Sequence, residues 1–399
     1  MSAHLKRSRR GVGASIFARL VLPALLFTQA VLGGSAMAAP GDQAVVGGDA
    51  WAWGRNYYGQ LGIGTREGAS VPNPLSGVQH VTGISAGGEH GLAVDANGVV
   101  WAWGRNQYGQ LGDGTFLDHA LPQAVIGLGP ASTVAAGGFH SLALLKDGTV
   151  WAWGRAVEGQ LGDGTTEDRN GPVQVSGLSG ITAITAGDWH SVALTSDRTV
   201  QSWGFNTFGQ LGDGNTTDGV TPRRVVDIDD VIAISAGSAH TLALRSGGSV
   251  WAWGFNGVGQ LGDGTRADSS TPVRVAPRDV VAIAAGGFHG LALRADGSVL
   301  AWGSNGFGQL GDGTGRDRTE PIQIPGLTQV SLLAAGKFQS LTIKSDGSAW
   351  GWGLNYDGQL GVGRIGYGFD SVPLPIEGLS SVTAIDGGDA NSFALRARD

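Results

Sequence analysis

Residues Trp101–Thr115 read WAWGRNQYGQLGDGT. Near-copies begin at Trp51, Trp151, Gln201, Trp251, Leu300 and Trp350, so seven copies follow one another at intervals of 50, 50, 50, 50, 49 and 50 residues. A period this strict marks a repeat architecture before any single residue is interpreted. A second block keeps step with the first, as ISAGGEHGLAV from Ile84, VAAGGFHSLAL from Val134, ITAGDWHSVAL from Ile184, ISAGSAHTLAL from Ile234, IAAGGFHGLAL from Ile283, LAAGKFQSLTI from Leu333 and IDGGDANSFAL from Ile385.

In the second block His140, Leu142 and Leu144 share one face and Ser141 and Ala143 the other, which is the period of a strand. Asp147-Gly148, Asp296-Gly297 and Asp346-Gly347 then predict tight hairpins, because glycine accepts positive φ. VWAWG follows as a strand with both indoles on one face. The glycine-rich GQLGxG reads as a bend, and a stretch with a proline (Pro72, Pro122, Pro172, Pro222, Pro272, Pro321, Pro373) and a β-branched run such as Val173-Gln174-Val175 completes the unit. Four short strands and no helical pattern leave a closed propeller or an open solenoid. The chain ends favour closure. The last unit stops at Arg398-Asp399, where a hairpin turn is due, and Gly47-Gly48-Asp49-Ala50-Trp51 begins where the next strand is due. The expected fold is therefore all-β, a seven-bladed β-propeller of four antiparallel strands per blade. Its ring is closed by the N-terminal strand completing the C-terminal blade, which removes the exposed sheet edges.

The pairing of AGxxHSLAL with DGxVWAWGxNxxGQLGxGT resembles the regulator of chromosome condensation family of seven-bladed propellers. The likeness runs from about residue 45 to the end and is specific for fold, much less so for function. The unit is longer than the roughly 40–45 residues of the WD type. The family's eukaryotic founder is a nucleotide-exchange factor for a small GTPase and a chromatin binder, so guanine-nucleotide exchange is one implied activity. The near-uniform units offer no blade insertion to act as an exchange wedge, which ranks that activity below binding. More distantly, the chain resembles the secreted β-lactamase inhibitor protein II, which presents aromatics from comparable turns to grip an enzyme. It departs from that protein in longer units that carry GQLGDGT or a close variant.

The N-terminus carries a basic stretch (Lys6, Arg7, Arg9, Arg10), an apolar run from Leu20 to Leu32 and a small-x-small site at Ala36-Met37-Ala38, the style of a bacterial export signal. Residues 1–38 are thus expected to be a cleavable leader and 39–399 a single propeller domain, secreted or held in the periplasm or envelope. Ser8-Arg9-Arg10 hints at twin-arginine export, but Gly11-Val12-Gly13 lacks the bulky residues that usually follow. No stable membrane span is expected after cleavage. Removal of Lys6, Arg7, Arg9, Arg10 and Arg19 leaves 21 basic against 33 acidic groups, a formal net of −12, which disfavours nucleic acid. The chain has no cysteine, so ring closure and packing must replace disulfides. Twelve of its 13 tryptophans lie in the WxW strands and read as core between the blades.

Candidate chemistry is sparse. His90, His140, His190, His240 and His289 recur at one position, with Gln339 and Asn391 in the remaining units. Gln and Asn keep hydrogen bonding and discard metal affinity, so the shared role is read as bonding backbone at a turn, and no metal or cofactor is expected. Asp113, Asp163, Asp213, Asp263 and Asp312 lack the spaced carboxylates of a calcium loop, and Ile63 and Val362 replace them elsewhere, which makes them turn formers. Gln60, Gln110, Gln160, Gln210, Gln260, Gln309 and Gln359 read as backbone clasps. No catalytic constellation appears, so the chain reads as a binding scaffold and not an enzyme.

Function is expected where the repeats differ. In AGxxH the second variable residue is Glu89, Phe139, Trp189, Ala239, Phe288, Phe338 or Ala390, and Asp188 and Lys337 stand out at the first. The WGxNxxG turns add Tyr57, Tyr108 and Phe208, whose sharing of the same rim the sequence leaves open. The partner-binding set is Phe139, Trp189, Phe288, Phe338, Glu89, Asp188, Lys337, Tyr57, Tyr108 and Phe208. The expected ligand of this set is an extracellular or envelope protein, with a glycan stacked on the aromatics as the alternative. A monomer is expected.

Overall fold

The computed structural model describes residues 47–275, 278–366 and 368–398, so the leader and its cleavage site lie outside the described residues. Twenty-eight strands form seven four-stranded antiparallel sheets, and among the described residues there is no helix. Blade one runs outward from the axis as Val81–Ala86, His90–Asp95, Val100–Gly104 and His119–Ala124. Blades two to six repeat this order from Ala131, Ile181, Val231, Val280 and Val330. The seven inner strands meet in a ring around the axis.

Blade seven takes Val382–Gly387 and Asn391–Arg396 from the C-terminal end and Asp49–Gly54 and Ala69–Pro74 from the N-terminal end. Trp51 lies opposite Ala394 in this junction. The N-terminal segment therefore supplies two strands where the sequence led us to expect one. The cause is phase: the unit counted from WxW starts at a blade's third strand, so the chain opens half a blade out of step.

The second tryptophan of each WxW (Trp53, Trp103, Trp153, Trp203, Trp253, Trp302, Trp352) is fully buried. Each indole N–H donates to the main-chain carbonyl of the conserved glutamine in the preceding blade, from Trp103 to Gln60 at 2.8 Å round to Trp53 to Gln359 at 2.9 Å. Burying such a ring contributes about 4–6 kcal/mol as an upper bound, whereas the hydrogen bond nets about 1 kcal/mol. Burial thus dominates, and the bond orients the ring. The first tryptophan of the pair is only half-buried, so the expectation that both indoles are core holds for one of each pair. Second strands such as His140–Leu145 are buried along their whole length, because a neighbouring blade covers each face.

The glutamine carbonyl collects a further donor. Ser141 Oγ donates to Gln110 O at 2.8 Å, and His90 Nε2 lies 2.9 Å from that Oγ. With the serine proton committed, the imidazole must be the donor, which fixes His90 as the neutral Nε2–H tautomer. The same relay links His140 to Ser191, His190 to Thr241 and His289 to Ser340, so the imidazole bonds a hydroxyl of the next blade and not the turn backbone that the sequence implied. The glutamine side chain turns back on its own loop, its Oε1 accepting the Tyr108 N–H in blade one at 2.9 Å, which is the backbone clasp the repetition implied. On the outside, the last glycine of each GQLGxG donates to the next blade's outer strand, as Gly114 N to Asn170 O and Gly363 N to Ser70 O, both 2.9 Å. A Cβ on Gly59 would meet the Ala120 Cα at 2.5 Å, so this close approach requires glycine.

Burial lowers His90, His140, His190 and His289 from 6.5 to about 3, and His240 to about 4. Unfolding exposes these rings, so below pH 6.5 the unfolded chain binds more protons and stability is lost as pH falls from 6.5 towards 3. Asp386 works in the opposite sense. Burial raises its carboxyl from 3.8 to about 7, so its contribution is present at low pH and lost as pH rises through 7. In urea unfolding between pH 4 and 6, we expect His140→Gln, which copies Gln339, to reduce the pH slope of stability by about one proton. An unchanged slope would show that the imidazole titrates in the folded state. Truncation after Gly388 removes the strand Asn391–Arg396 and is expected to abolish cooperative folding; a soluble truncation with a sharp thermal transition would refute closure through blade seven.

Candidate protein-binding face

The AGxxH turns and the WGxNxxG turns come together at one end of every blade. The residue after each WG donates its N–H to the carbonyl just before the histidine position, as Arg105 to Glu89 (2.9 Å), Arg155 to Phe139 (3.0 Å), Phe205 to Trp189 (3.0 Å) and Leu354 to Phe338 (2.9 Å). The two variable sets therefore share one rim, and all ten partner-binding candidates lie on it. Tyr57 is 66% exposed, and the other nine are half-buried.

The rim is unequal round its circumference. From blade three to blade six, rings follow one another in edge and face contact: Trp189 to Phe205 at 5.9 Å, Phe205 to Phe208 at 6.0 Å, Phe208 to Phe255 at 4.9 Å, Phe255 to Phe288 at 6.3 Å and Phe288 to Phe338 at 6.0 Å. Phe307 continues the arc at 5.1 Å from Phe338. Ala239, small where other blades carry an aromatic, lies beside Phe255. Across blades seven, one and two, arginines take over. Arg55 pairs with Asp357 at 2.7 Å, Arg105 with Glu89, and Arg155 with Glu158 at 2.8 Å. Their guanidinium groups lie over Tyr57, Tyr58 and Tyr108, with Tyr108 against Phe139 at 5.5 Å.

Phe205, Phe255, Arg55, Arg105 and Arg155 escaped the sequence reading. The signal was present: the x of WGxN alternates among Arg, Phe, Ser and Leu between two near-constant neighbours. Its meaning depends on the backbone bond to the AGxxH turn, which the sequence does not display.

Within the rim, Lys337 Nζ bridges Asp188 (3.2 Å) and Asp389 (3.0 Å) at the mouth of the axial channel, beside Gly88, Gly138 and Ser238. Burial lowers the ammonium pKa, but the two carboxylates overcome this and hold it well above the ordinary lysine value. Burial raises Asp389 to about 6, with Asp188 adding and Lys337 opposing. Deeper in the channel, Asp386 Oδ2 accepts the Ala86 N–H at 2.8 Å.

The recurrent polar residues are committed to structure. Four of the five histidines donate from Nε2 across a blade interface, and among the described residues no group of three or more potential ligand side chains is arranged for a metal ion. Asp113 Oδ1 accepts the Thr115 N–H at 2.9 Å, a turn-forming role, and Asp163 and Asp312 also pair with Arg169 and Arg318. Replacing Lys337 with methionine would leave Asp188 and Asp389 facing each other without a cation. We expect Lys337→Met to lose more stability at pH 8 than at pH 5, because protonation relieves the repulsion; an equal loss at both pH values would remove the mouth carboxylates from the electrostatic account.

Solved structures give the same architecture. Prp20p of Saccharomyces cerevisiae, in a structure titled for its binding properties to Gsp1p and histones, is 25% identical, with a TM-score of 0.81 over 91% of this chain and 96% of that one. The yeast protein bound to Kap60 gives 22% identity and a TM-score of 0.81 over 100% of this chain and 97% of that one. Human WBSCR16 gives 23% and 0.80 over 88% of this chain and all of its own. No curated protein sequence matches the chain. The model of the RCC1-like domain matches residues 14–281 and again 134–399, and the chain therefore belongs to the RCC1-like domain family.

Proposed function

We propose that this chain is an exported, non-catalytic scaffold that grips a protein partner through the aromatic and arginine rim. The observation that carries the reading is the unbroken run of rings from Trp189 to Phe338 on one side of the rim, with tyrosine-backed arginines on the other. Core packing asks for the same residue in each blade, as the seven buried tryptophans illustrate, whereas this rim changes chemistry from blade to blade. Aromatic rings and arginines are enriched at protein interfaces, the rings because they bury large rigid areas at low entropic cost and the arginines because they add several directed hydrogen bonds. A repeated glycan site would place the same stacking platform on several blades; the unequal set favours one asymmetric protein. Protein binding also accords with Prp20p, whose structure is titled for binding to Gsp1p and histones. Export rests on the basic and apolar leader with its small-x-small site.

Purified residues 39–399 should retain a protein from the envelope or culture-medium fraction of the producing cells. The combined Phe139→Ala, Trp189→Ala, Phe288→Ala and Phe338→Ala variant should fold and lose that protein, with Kd raised at least about 100-fold. Retention by both forms would assign the rim a structural role, and binding of defined sugars on a glycan array, lost in the variant, would replace the protein reading with a lectin.

A further inference from the structure

Four Asn-Gly pairs occur in the chain, beginning at Asn97, Asn170, Asn256 and Asn305. An asparagine in such a pair loses its side-chain amide without an enzyme, because no Cβ on the glycine hinders the approach of its main-chain nitrogen to the asparagine Cγ. The fold restrains the four to different degrees. Asn256 and Asn305 are fully buried, their Oδ1 atoms accepting the N–H groups of Leu261 and Leu310 at 3.0 Å and their Nδ2 atoms donating to Ala267 O at 3.0 Å and Thr314 O at 3.1 Å. Asn170, in the outer strand of blade two, donates from Nδ2 to Gly114 O at 2.8 Å. Asn97 is exposed, at the hairpin turn that joins His90–Asp95 to Val100–Gly104 at the end of blade one opposite the rim. Among the described residues its side-chain amide has no hydrogen-bond partner.

The reacting nitrogen is held by one bond. Gly98 N–H donates to Asp95 O at 2.9 Å, and opening of that bond at the tip of a hairpin frees it, where local opening costs least. Base from the solvent takes the Gly98 N–H proton, the nitrogen attacks Asn97 Cγ, and a new C–N bond closes an imide ring as Nδ2 leaves in ammonia. Water then opens the ring. Cleavage of the new Cγ–N bond leaves an aspartate at this position, whereas cleavage of the original peptide C–N bond leaves an isoaspartate, with one more methylene in the backbone. Blades two, five and six already carry aspartate here, as Asp147, Asp296 and Asp346, each accepting the hydroxyl proton of Thr149, Ser298 or Ser348. In blades five and six Arg294 and Lys344 add favourable charge. Blade one offers Val99 in place of the hydroxyl and Asp95 in place of the cation, and Asp95 Oδ2 also accepts the Trp101 indole N–H at 3.2 Å. A second carboxylate in this turn therefore meets a like charge without a compensating donor. The lengthened backbone in turn displaces Gly98 O, which accepts the Ala131 N–H of blade two at 2.8 Å.

We propose that Asn97 is a self-modification site, at which the folded protein exchanges an amide for a carboxylate as it ages and thereby loosens the contact between blades one and two. Residues 39–399, incubated folded at pH 8 and mapped by peptide mass spectrometry, should gain the amide-to-acid mass change and isoaspartate at Asn97 at least about tenfold faster than at Asn256 or Asn305, whose reaction requires a larger opening of the blade. In urea all four pairs should convert. Asn97→Gln, whose longer side chain closes the corresponding ring far more slowly, should keep the thermal midpoint of the parent and remain unconverted at this position. The converted fraction, separated by anion exchange, should melt below the parent. A folded chain that keeps Asn97 intact while the urea-unfolded chain loses it would show that the turn locks the nitrogen, and would overturn the proposal. Conversion of Asn256 or Asn305 in the folded protein as fast as Asn97, or a converted fraction that melts with the parent, would overturn it as well.

Discussion

The indole buried at each blade junction, its N–H held by the glutamine carbonyl of the blade before, is the contact on which the ring depends. It occurs at every junction, including the one that joins the two ends of the chain. The indole buries the largest apolar area at the interface, and the carbonyl sets its depth and angle. Serine or threonine in five blades shares the same acceptor, and histidine in four places a second bond behind that hydroxyl. A single carbonyl per junction thus organises most of the buried polar chemistry between blades. Where Gly290 replaces the serine, His240 finds no hydrogen-bond partner on either ring nitrogen, and where Gly91 does so, Asn391 is left in the same state. These two junctions keep the indole bond but lack the hydroxyl relay, and Trp103 and Trp302 lie where a Cβ at Gly91 or Gly290 would stand.

Most of the architecture was legible because repetition multiplies a weak local signal. One WAWG strand or one Asp-Gly turn proves little, but seven in register determine strand count, blade count and closure. The glutamine clasps were readable for the same reason, and Gln339 in place of histidine pointed to hydrogen bonding over metal, although the Asn391 side chain makes no such bond. Two things were hidden. Alternation in HSLAL marks a strand but carries no sign that radial packing covers both of its faces. The shared rim of the AGxxH and WGxNxxG turns depends on a backbone bond between segments some 15 residues apart, such as Arg105 to Glu89, and periodicity carries no trace of it.

The molecule separates two demands that usually compete. Inner strands, second strands, WxW indoles and GQLGxG turns are near-identical and carry stability, each junction nearly equivalent to the next. Positions just outside those motifs are free to vary, because their backbone is already held by invariant neighbours. An aromatic arc and an arginine arc can therefore coexist on one rim at little cost to the ring. The channel mouth shows the same freedom: Asp188, Ser238, Lys337 and Asp389 occupy positions that are glycine in the other three blades, and they put charge at the axis without altering the strands beneath.

Blade seven joins Asp49 to Arg396, and Arg398 reaches Asp49 at 2.8 Å. Its N-terminal pair of strands cannot be sheeted until the last strand of the chain has left the ribosome. A nascent propeller of this kind stays open throughout its synthesis, with the first two strands waiting for partners more than three hundred residues away. High contact order of this sort slows folding. Here the delay has a single structural root, because the blade-seven sheet cannot exist before the two ends of the chain have met.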